Sequence, residues 1–503
     1  MAKPIARLAD LLRRRAAEQP AAPALDEANT SVSYGQLLER SERITKQLLA
    51  KGVVAGDRVM IVAENSIAQI AAFFAASLLD AWPVLINARM TAHEVDTILE
   101  HCDPRIVLFA GTQSSDAAAH AERHDATLAN GDALRWGAVR TAAIPEIGTK
   151  AQPVAALIYT SGTTGAPKGV MVTHRGLLHF AARSAVVRGQ TADDVVFGAL
   201  PMAHIFGLAT ILLTTIWAGG RLFLMPRFDP RLACQAIRDR GITILHGVPS
   251  LYSRLLGWIA ETGQSVDWQR LRYVYVGGGA LDIALKRRIE RALGRPAHHG
   301  YGMTEYAGSM FVTHVDHPRD DALPGEINPD CEVRFVDTGE QDVPSGQSGE
   351  IWIRGPGTMA GYFRAPQLTA EAMSHDGWLR TGDIGCLHAD GALSIVGRLR
   401  DVIKSAGFLV YPAEVEAELA RIPGLRLAAV IGLPNRDGDE DVIAVIELEP
   451  AGEFDADAVG AQLRARLAGY KLPRRFEIVD ALPLTLNGKV RKADLRQQFV
   501  SAI

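Results

Sequence analysis

The sequence is poor in whatever would cross-link it or hold it in a membrane. Four cysteines, at 102, 234, 331 and 386, are spread over 503 residues with no CxxC pair. That spacing argues against a zinc site and a disulfide framework, and fits a reducing, cytoplasmic setting. The longest apolar run, "IFGLATILLTTIWAGG", falls short of the ~20 residues a membrane span requires and reads as a buried helix. The net charge of −4 gives no global signature of nucleic-acid or membrane-surface binding. There is no internal repeat. The start, "MAKPIARLADLLRRRAAEQP", is basic and amphipathic. A transit peptide has this look, but Ile5, Leu8, Leu11 and Leu12 on one face favour an ordinary first helix packed on its domain.

Almost half of the residues are apolar, enough for sizeable cores in two to four domains. Over the first 300 residues, short β-rich runs alternate with helical patterns. "RVMIVA" (58–63) precedes "SIAQIAAFFAASLLD", "PVLIN" (83–87) precedes "TAHEVDTILEHC", and "RIVLFA" (105–110) follows. "VAALIY", "VVFGAL", "RLFLM", "ITILHGV" and "YVYVGG" come later. Continuous apolar strands between helices predict an α/β architecture with sheets covered on both faces. Residues 111–152 are less regular and predict a peripheral excursion. From about 325, "CEVRFVD", "GEIWIRG" and "ALSIVGR" are separated by turns, which predicts a small antiparallel sheet or barrel. Beyond "GRLRDVIKSAGFLVYP", helices and strands mix in a small α+β unit.

One loop stands out. "TSGTTGAPKG" (160–169) follows the apolar run "VAALIY". A Gly-rich turn leaving a strand aims backbone N–H groups at the carboxyl edge of the sheet, a nest suited to polyphosphate. The hydroxyls of Thr160, Ser161, Thr163 and Thr164 add donors, and Lys168 adds charge. The P-loop pattern is excluded, because Pro167 precedes Lys168 and Gly169 follows it. A mobile linker would have low-complexity flanks, whereas "VAALIY" and "GVMVTH" are both strand-like.

"YTSGTTGAPKGVMVTH" resembles the signature loop of the acyl-adenylate-forming superfamily: acyl-CoA synthetases, adenylation domains of peptide synthetases and beetle luciferases. Four further strings follow in the family's order, "YGMTE" (301–305), "GWLRTGD" (377–383), "GRLRD" (397–401) and "PLTLNGKVRK" (483–492). The resemblance covers essentially the whole chain. It implies a large N-terminal domain, 1–397, of two α/β subdomains with a β-barrel-like part at about 325–397. A small mobile α+β domain, 398–503, would follow, hinged near Asp401.

The reaction implied by the resemblance has two halves. A carboxylate attacks the α-phosphate of ATP, giving acyl-adenylate and pyrophosphate; the thiol of CoA then takes the acyl group and AMP leaves. The nucleophile of the first half is already ionised, so positive charge and fixed donors are needed rather than a base. The resemblance places Thr160, Ser161, Gly162, Thr163, Thr164 and Gly165 on the phosphates, with Lys168 steadying the loop or the pyrophosphate. Gly278, Gly300 and Gly302 admit the nucleotide to the backbone. Tyr301 stacks on adenine, Thr304 donates to the α-phosphate, and Glu305 with Thr163 holds Mg²⁺, an ion that takes oxygen ligands. "GYGMTE" reads as a turn. Asp383 accepts from the ribose hydroxyls, and Arg398 lies near ribose and phosphate. Lys489 reaches in from the C-terminal domain during adenylation. Lys404, Ser405, Ala406 and Gly407 border the pantetheine route, with Ala406 where many relatives have Gly.

For the acid, the resemblance points to His204, Phe206, Val248, Gly277, Gly278 and Met303. The pocket reads as apolar. No Asp stands near position 204 to hold an α-amino group, which argues against amino acids and for an aromatic or aliphatic monocarboxylic acid. No extra basic residue for a dicarboxylate is evident, although His246 keeps that option open. A freestanding ligase loading an acyl carrier protein is the second reading, and a catalytically dead nucleotide- or acyl-binding sensor the third. Further expectations are a homodimer and modification of Lys489 by a lysine acetyltransferase.

Overall fold

The apolar runs become strands of two large sheets. The computed structural model describes residues 5–110, 114–128, 133–160, 168–264, 266–405, 408–435, 440–449, 452–485 and 490–500. The chain divides into one unit of Met1–Glu332 with Arg354–Leu379 and another of Val333–Ile353 with Arg380–Ile503.

In the first unit, a seven-stranded sheet runs in the order Thr127–Leu128, Arg135–Trp136, Ile106–Ala110, Arg58–Ala63, Trp82–Asn87, Val154–Thr160, Lys168–Thr173. Its central strands are parallel and buried along their length, as uninterrupted apolar composition requires. Residues 111–152 are less peripheral than the sequence suggests. Helix Ser115–Arg123 packs Ala117 and Ala121 into the core, and the two short strands extend the sheet edge. A nine-stranded sheet follows the order Glu326–Ile327, Gly308–Val312, Ala297–Met303, Tyr273–Val276, Ile244–Gly247, Val195–Gly198, Arg221–Leu224, Pro23–Asp26, Ser31–Ser33. Six neighbouring strands in it, from Ala297–Met303 to Pro23–Asp26, are parallel.

The first helix, Leu8–Glu18, buries Leu8, Leu11 and Leu12 as its pattern predicts. The long apolar run begins as a π-helical segment, Phe206–Leu213, continued by an α-helix, Thr214–Ala218. Among the described residues no helix is long and apolar enough to cross a membrane. The cysteines are free thiols.

Asn65 ties the two sheets together. Its buried amide donates to the carbonyls of Gly198 (3.2 Å), Leu200 (2.9 Å) and Met225 (3.2 Å), and its carbonyl accepts from Met202 N–H (2.9 Å). One side chain thus fixes the loop leading to His204.

The second unit contains nearly all of a four-stranded sheet, in the order Glu332–Val336, Gly349–Arg354, Leu379–Leu387, Leu393–Arg398. The hairpin Ile403–Ser405 with Phe408–Val410 follows. A three-stranded sheet, Leu425–Pro434, Glu440–Leu448 and Arg475–Val479, has a core on each face. Helices Pro412–Leu419 and Ala456–Arg464 bury apolar residues in one core, and Lys492–Val500 places Leu495 in the other.

Asn65→Ala strands two carbonyls, Leu200 O and Met225 O, and the Met202 N–H in a buried place, while Gly198 O keeps the Met225 N–H. It should cost about 3 kcal/mol or more, read as a lowered thermal midpoint. An unshifted midpoint would refute the tie.

Candidate active site

The glycine-rich loop closes an antiparallel hairpin. Val154–Thr160 pairs with Lys168–Thr173 in a register that ends on Thr160 opposite Lys168. Residues 161–167 lie outside the described residues, so Ser161, Gly162, Thr163, Thr164 and Gly165 are located only by these two ends.

Lys168–Thr173 is the last strand of its sheet, and a segment that carries no sequence motif covers its open edge. Phe363 N–H donates to Gly169 O (2.8 Å), Met171 N–H to Gly361 O (3.0 Å), and Ala360 N–H to Met171 O (2.9 Å). Val170 and Tyr362 form a bridge. Tyr362 then makes two side-chain contacts. Lys168 Nζ lies 5.2 Å from the centroid of its ring, and its hydroxyl donates to Glu305 Oε1 at 2.9 Å. Burial and the adjacent Glu305 carboxylate push the Tyr362 hydroxyl pKa up, so it stays a donor. Met359 N–H also donates to the Glu305 carbonyl (2.8 Å). Sequence alone does not single out Tyr362, because "MAGYF" has no local signal. Its role follows from the register in which 359–363 meets the edge strand.

"GYGMTE" is not simply a turn. Its first residues complete strand Ala297–Met303, and only Thr304–Tyr306 form a 3₁₀ turn. The two glycines are sterically required. A Cβ on Gly300 would collide with Tyr275 Oη and stand 2.8 Å from Phe311 O, and one on Gly302 would meet the Gly308 backbone. Tyr301 and Thr304 are buried, and Met303 is half-buried. Among the described residues no group of three or more His, Cys, Asp or Glu side chains could hold a metal. One carboxylate, Glu305, beside the hydroxyl of Thr304 fits a Mg²⁺ ion held mainly by nucleotide phosphates and water.

Of the residues expected at the acyl pocket, His204, Phe206, Val248, Gly277 and Gly278 come together. Phe206 lies at the start of the π-helical segment, beside Gly277 and Gly278; a Cβ on Gly277 would stand 3.0 Å from the Phe206 ring and one on Gly278 3.2 Å from Val248. Gly278 has φ +75°, a left-handed conformation that favours glycine. His204 Nδ1 accepts from Phe206 N–H (3.2 Å), which orients the ring. Beneath this wall lies a residue the sequence reading did not select. Arg188 is fully buried, with its guanidinium carbon 4.7 Å from the Tyr275 ring centroid. At the end of helix His174–Val187 an arginine looks like an ordinary partner for the helix dipole, and only the packing shows it inside.

Asp383, Arg398, Asp401, Lys404 and Ser405 belong to the second unit. Asp383 lies in strand Leu379–Leu387, directly opposite Arg398 on the next strand. Their ion pair is 2.8 Å. Asp401 ends a 3₁₀ turn and pairs with Arg496 at 3.6 Å. Lys404 is exposed and Ser405 buried; Ser405 faces Phe408 in the hairpin register, and Ala406 and Gly407 between them lie outside the described residues. Lys489 lies outside them too, next to Val490, which bridges to Leu484.

Comparison with known proteins identifies the family. Residues 12–363 match the model for the AMP-binding enzyme family, and 414–489 match that for the AMP-binding enzyme C-terminal domain. The chain belongs to the AMP-binding enzyme family. It is 34% identical over 492 residues to a feruloyl-CoA synthase of Amycolatopsis, covering 97% of this chain and 98% of that one. It is 32% identical over 503 residues to an indoleacetate–CoA ligase of Aromatoleum aromaticum, covering 97% and 98%. ATP-bound MatB from Rhodopseudomonas palustris superimposes with a TM-score of 0.84 at 30% identity, covering 98% of this chain and 99% of the other. The superfamily resemblance of the five motifs and the α/β fold class are thereby borne out.

Three buried histidines make the first unit acid-sensitive. Burial, helped by nearby positive charge, lowers the pKa of His298 and His299 to about 4, and that of His174 likewise. In the unfolded chain each titrates near 6.5. The unfolded state therefore binds more protons between those values. Stability is full above pH 6.5 and falls toward pH 4, by about 1.4 kcal/mol per pH unit for each histidine. The thermal midpoint should drop steeply from pH 6.5 to 4.5, and a flat profile would contradict the burial of these rings.

Proposed function

We propose that the protein is an ATP-dependent acyl-CoA synthetase acting on an aromatic or aliphatic carboxylic acid, with an aromatic acid preferred. The observation that carries this reading is the convergence of Thr160, Lys168, Tyr362 and Glu305 at the signature hairpin of a chain related along its whole length to CoA ligases. The names of the feruloyl and indoleacetate relatives support an aromatic acid.

In this reading, residues 160–165 hold the β- and γ-phosphates, Lys168 offsets charge on the departing pyrophosphate, and Thr304 donates to the α-phosphate. Tyr362 holds Glu305 toward Mg²⁺, whose chemistry is to neutralise phosphate charge. Tyr301 stacks on adenine, and Asp383 accepts from the ribose with Arg398 at its side. Lys489 brings the acid's carboxylate and the phosphate together. Rotation about Asp401 then withdraws Lys489 and presents Lys404–Gly407 to pantetheine. His204 and Phe206 shut the acyl pocket. ATP and CoA are cytoplasmic solutes, which supports a cytoplasmic location.

The defining test is pyrophosphate release over benzoates, cinnamates and C4–C12 acids, with CoA or a carrier protein as acceptor. CoA-dependent thioester from one of these acids is expected, and thioester on the carrier alone would overturn the choice of acceptor. Lys489→Ala should slow adenylation by ~10²-fold or more while sparing thioester formation from supplied acyl-adenylate. Equal loss of both steps would refute its role. Acetylation by a lysine acetyltransferase removes the same charge, so acetylated protein should lose ATP–pyrophosphate exchange. Tyr362→Phe keeps the ring under Lys168 and deletes the hydroxyl on Glu305. It should lower kcat/KM for Mg-ATP about tenfold, the worth of a hydrogen bond to a charged group, and unchanged kinetics would sink that assignment.

A further inference from the structure

Two arginines among the described residues are fully buried, and they are satisfied very differently. Arg58 donates to the carbonyls of Cys102 (2.9 Å), Gly56 (3.1 Å), Ile144 (2.7 Å) and Asp103 (2.8 Å). Arg188 spends Nη1 on the Ser184 hydroxyl and, weakly, on its carbonyl. Its Nε and Nη2 have no hydrogen-bond partner. No Asp or Glu among the described residues pairs with it. The Tyr275 ring gives it a π face, but no acceptor for those N–H groups.

The surroundings are unsatisfied as well. Both ring nitrogens of His246, the hydroxyl of Tyr273 and Nδ1 of His298 are buried without a partner. His246, Tyr275 and His298 stand side by side on three adjacent parallel strands, and Tyr273 stacks on His298 at 4.6 Å. Burial and the Arg188 charge keep both histidines neutral at pH 7. The cluster therefore holds one uncompensated positive charge. Native interiors rarely leave such groups unpaired, and an unpaired buried charge is costlier still.

Its position names the partner. Two residues further along the same strands come Gly277, one of the acyl-pocket glycines, and Gly300, one of those expected at the nucleotide. Phe206 stands between, edge-on to Tyr275 at 5.7 Å and to His246 at 6.3 Å. Nε and Nη2 form the edge of a guanidinium that takes a carboxylate with two parallel hydrogen bonds. From Thr304, where the activated end lies, back to His298, level with the cluster, is six residues or roughly 20 Å of strand.

We propose that this cluster is the far end of the acyl pocket, where Arg188 receives a second carboxylate carried opposite the one that is activated, with Phe206 turning aside as the gate. The acid is then a rigid or extended dicarboxylate no shorter than a carboxy-substituted cinnamate. The proposal rests on the ligase reading.

The test compares cinnamate, 4-hydroxycinnamate and 4-carboxycinnamate, with octanoate and octanedioate as a flexible pair. Turnover is followed by pyrophosphate release, and binding by thermal shift on the same samples. Wild type should favour 4-carboxycinnamate over cinnamate by ten-fold or more in kcat/KM. Arg188→Met should bring that ratio to about one, and Arg188→Lys should leave it intermediate, because an ammonium cannot fork. If Arg188→Met does not fold, the wild-type ratio and Arg188→Lys still decide. A wild-type ratio at or below one, or a gain confined to the 4-hydroxy acid, overturns the carboxylate assignment. Arg188-dependent binding of the dicarboxylate without pyrophosphate release would sustain the subsite and defeat the ligase reading. Turnover of the monoacids with no effect of Arg188 on the ratio would do the reverse.

Discussion

An anionic acid can meet an anionic triphosphate only where positive charge and donors stand fixed beforehand, and here that depends on one edge strand. Lys168–Thr173 ends its sheet, and an open edge would leave Lys168 on a frayed hairpin. Residues 359–363 cover it with backbone hydrogen bonds and bring Tyr362 with them. The tyrosine ring meets the cation and its hydroxyl meets the carboxylate, so Lys168 and Glu305, far apart in sequence, share one support.

The same economy shapes the acyl side. Parallel strands deliver Gly277 and Gly300 to one level, where the absence of side chains makes room for the rings of Phe206 and Tyr275. One level down the same strands carry His246, Tyr275 and His298, which fill the space with polar rings around Arg188. The level of the expected acyl-pocket glycine and the level of the Arg188 cluster are thus two successive steps of one pleat.

The second unit carries its own site residues in paired form. Asp383 and Arg398 face each other across a ladder, so the carboxylate proposed for the ribose is held by an arginine before any nucleotide arrives. Asp401 is tied to Arg496 of the last helix, which links the proposed hinge to the segment just after Lys489.

Much of this was legible from residues alone. Buried parallel strands announce themselves as unbroken apolar runs, because both faces must be covered. Loops that bind phosphate announce themselves by glycine and hydroxyl density, because the backbone itself is the ligand. Hence the strands at 58–63 and 106–110, the hairpin around 160–169 and the α/β class could be read directly. The strand nature of 297–303 and 379–387 could not, since glycine, histidine and aspartate there mask the β pattern. Nor could Tyr362 and Arg188. Each is an ordinary residue whose meaning comes from what lies against it, and only the register of distant strands and the packing of a helix end on a sheet decide that.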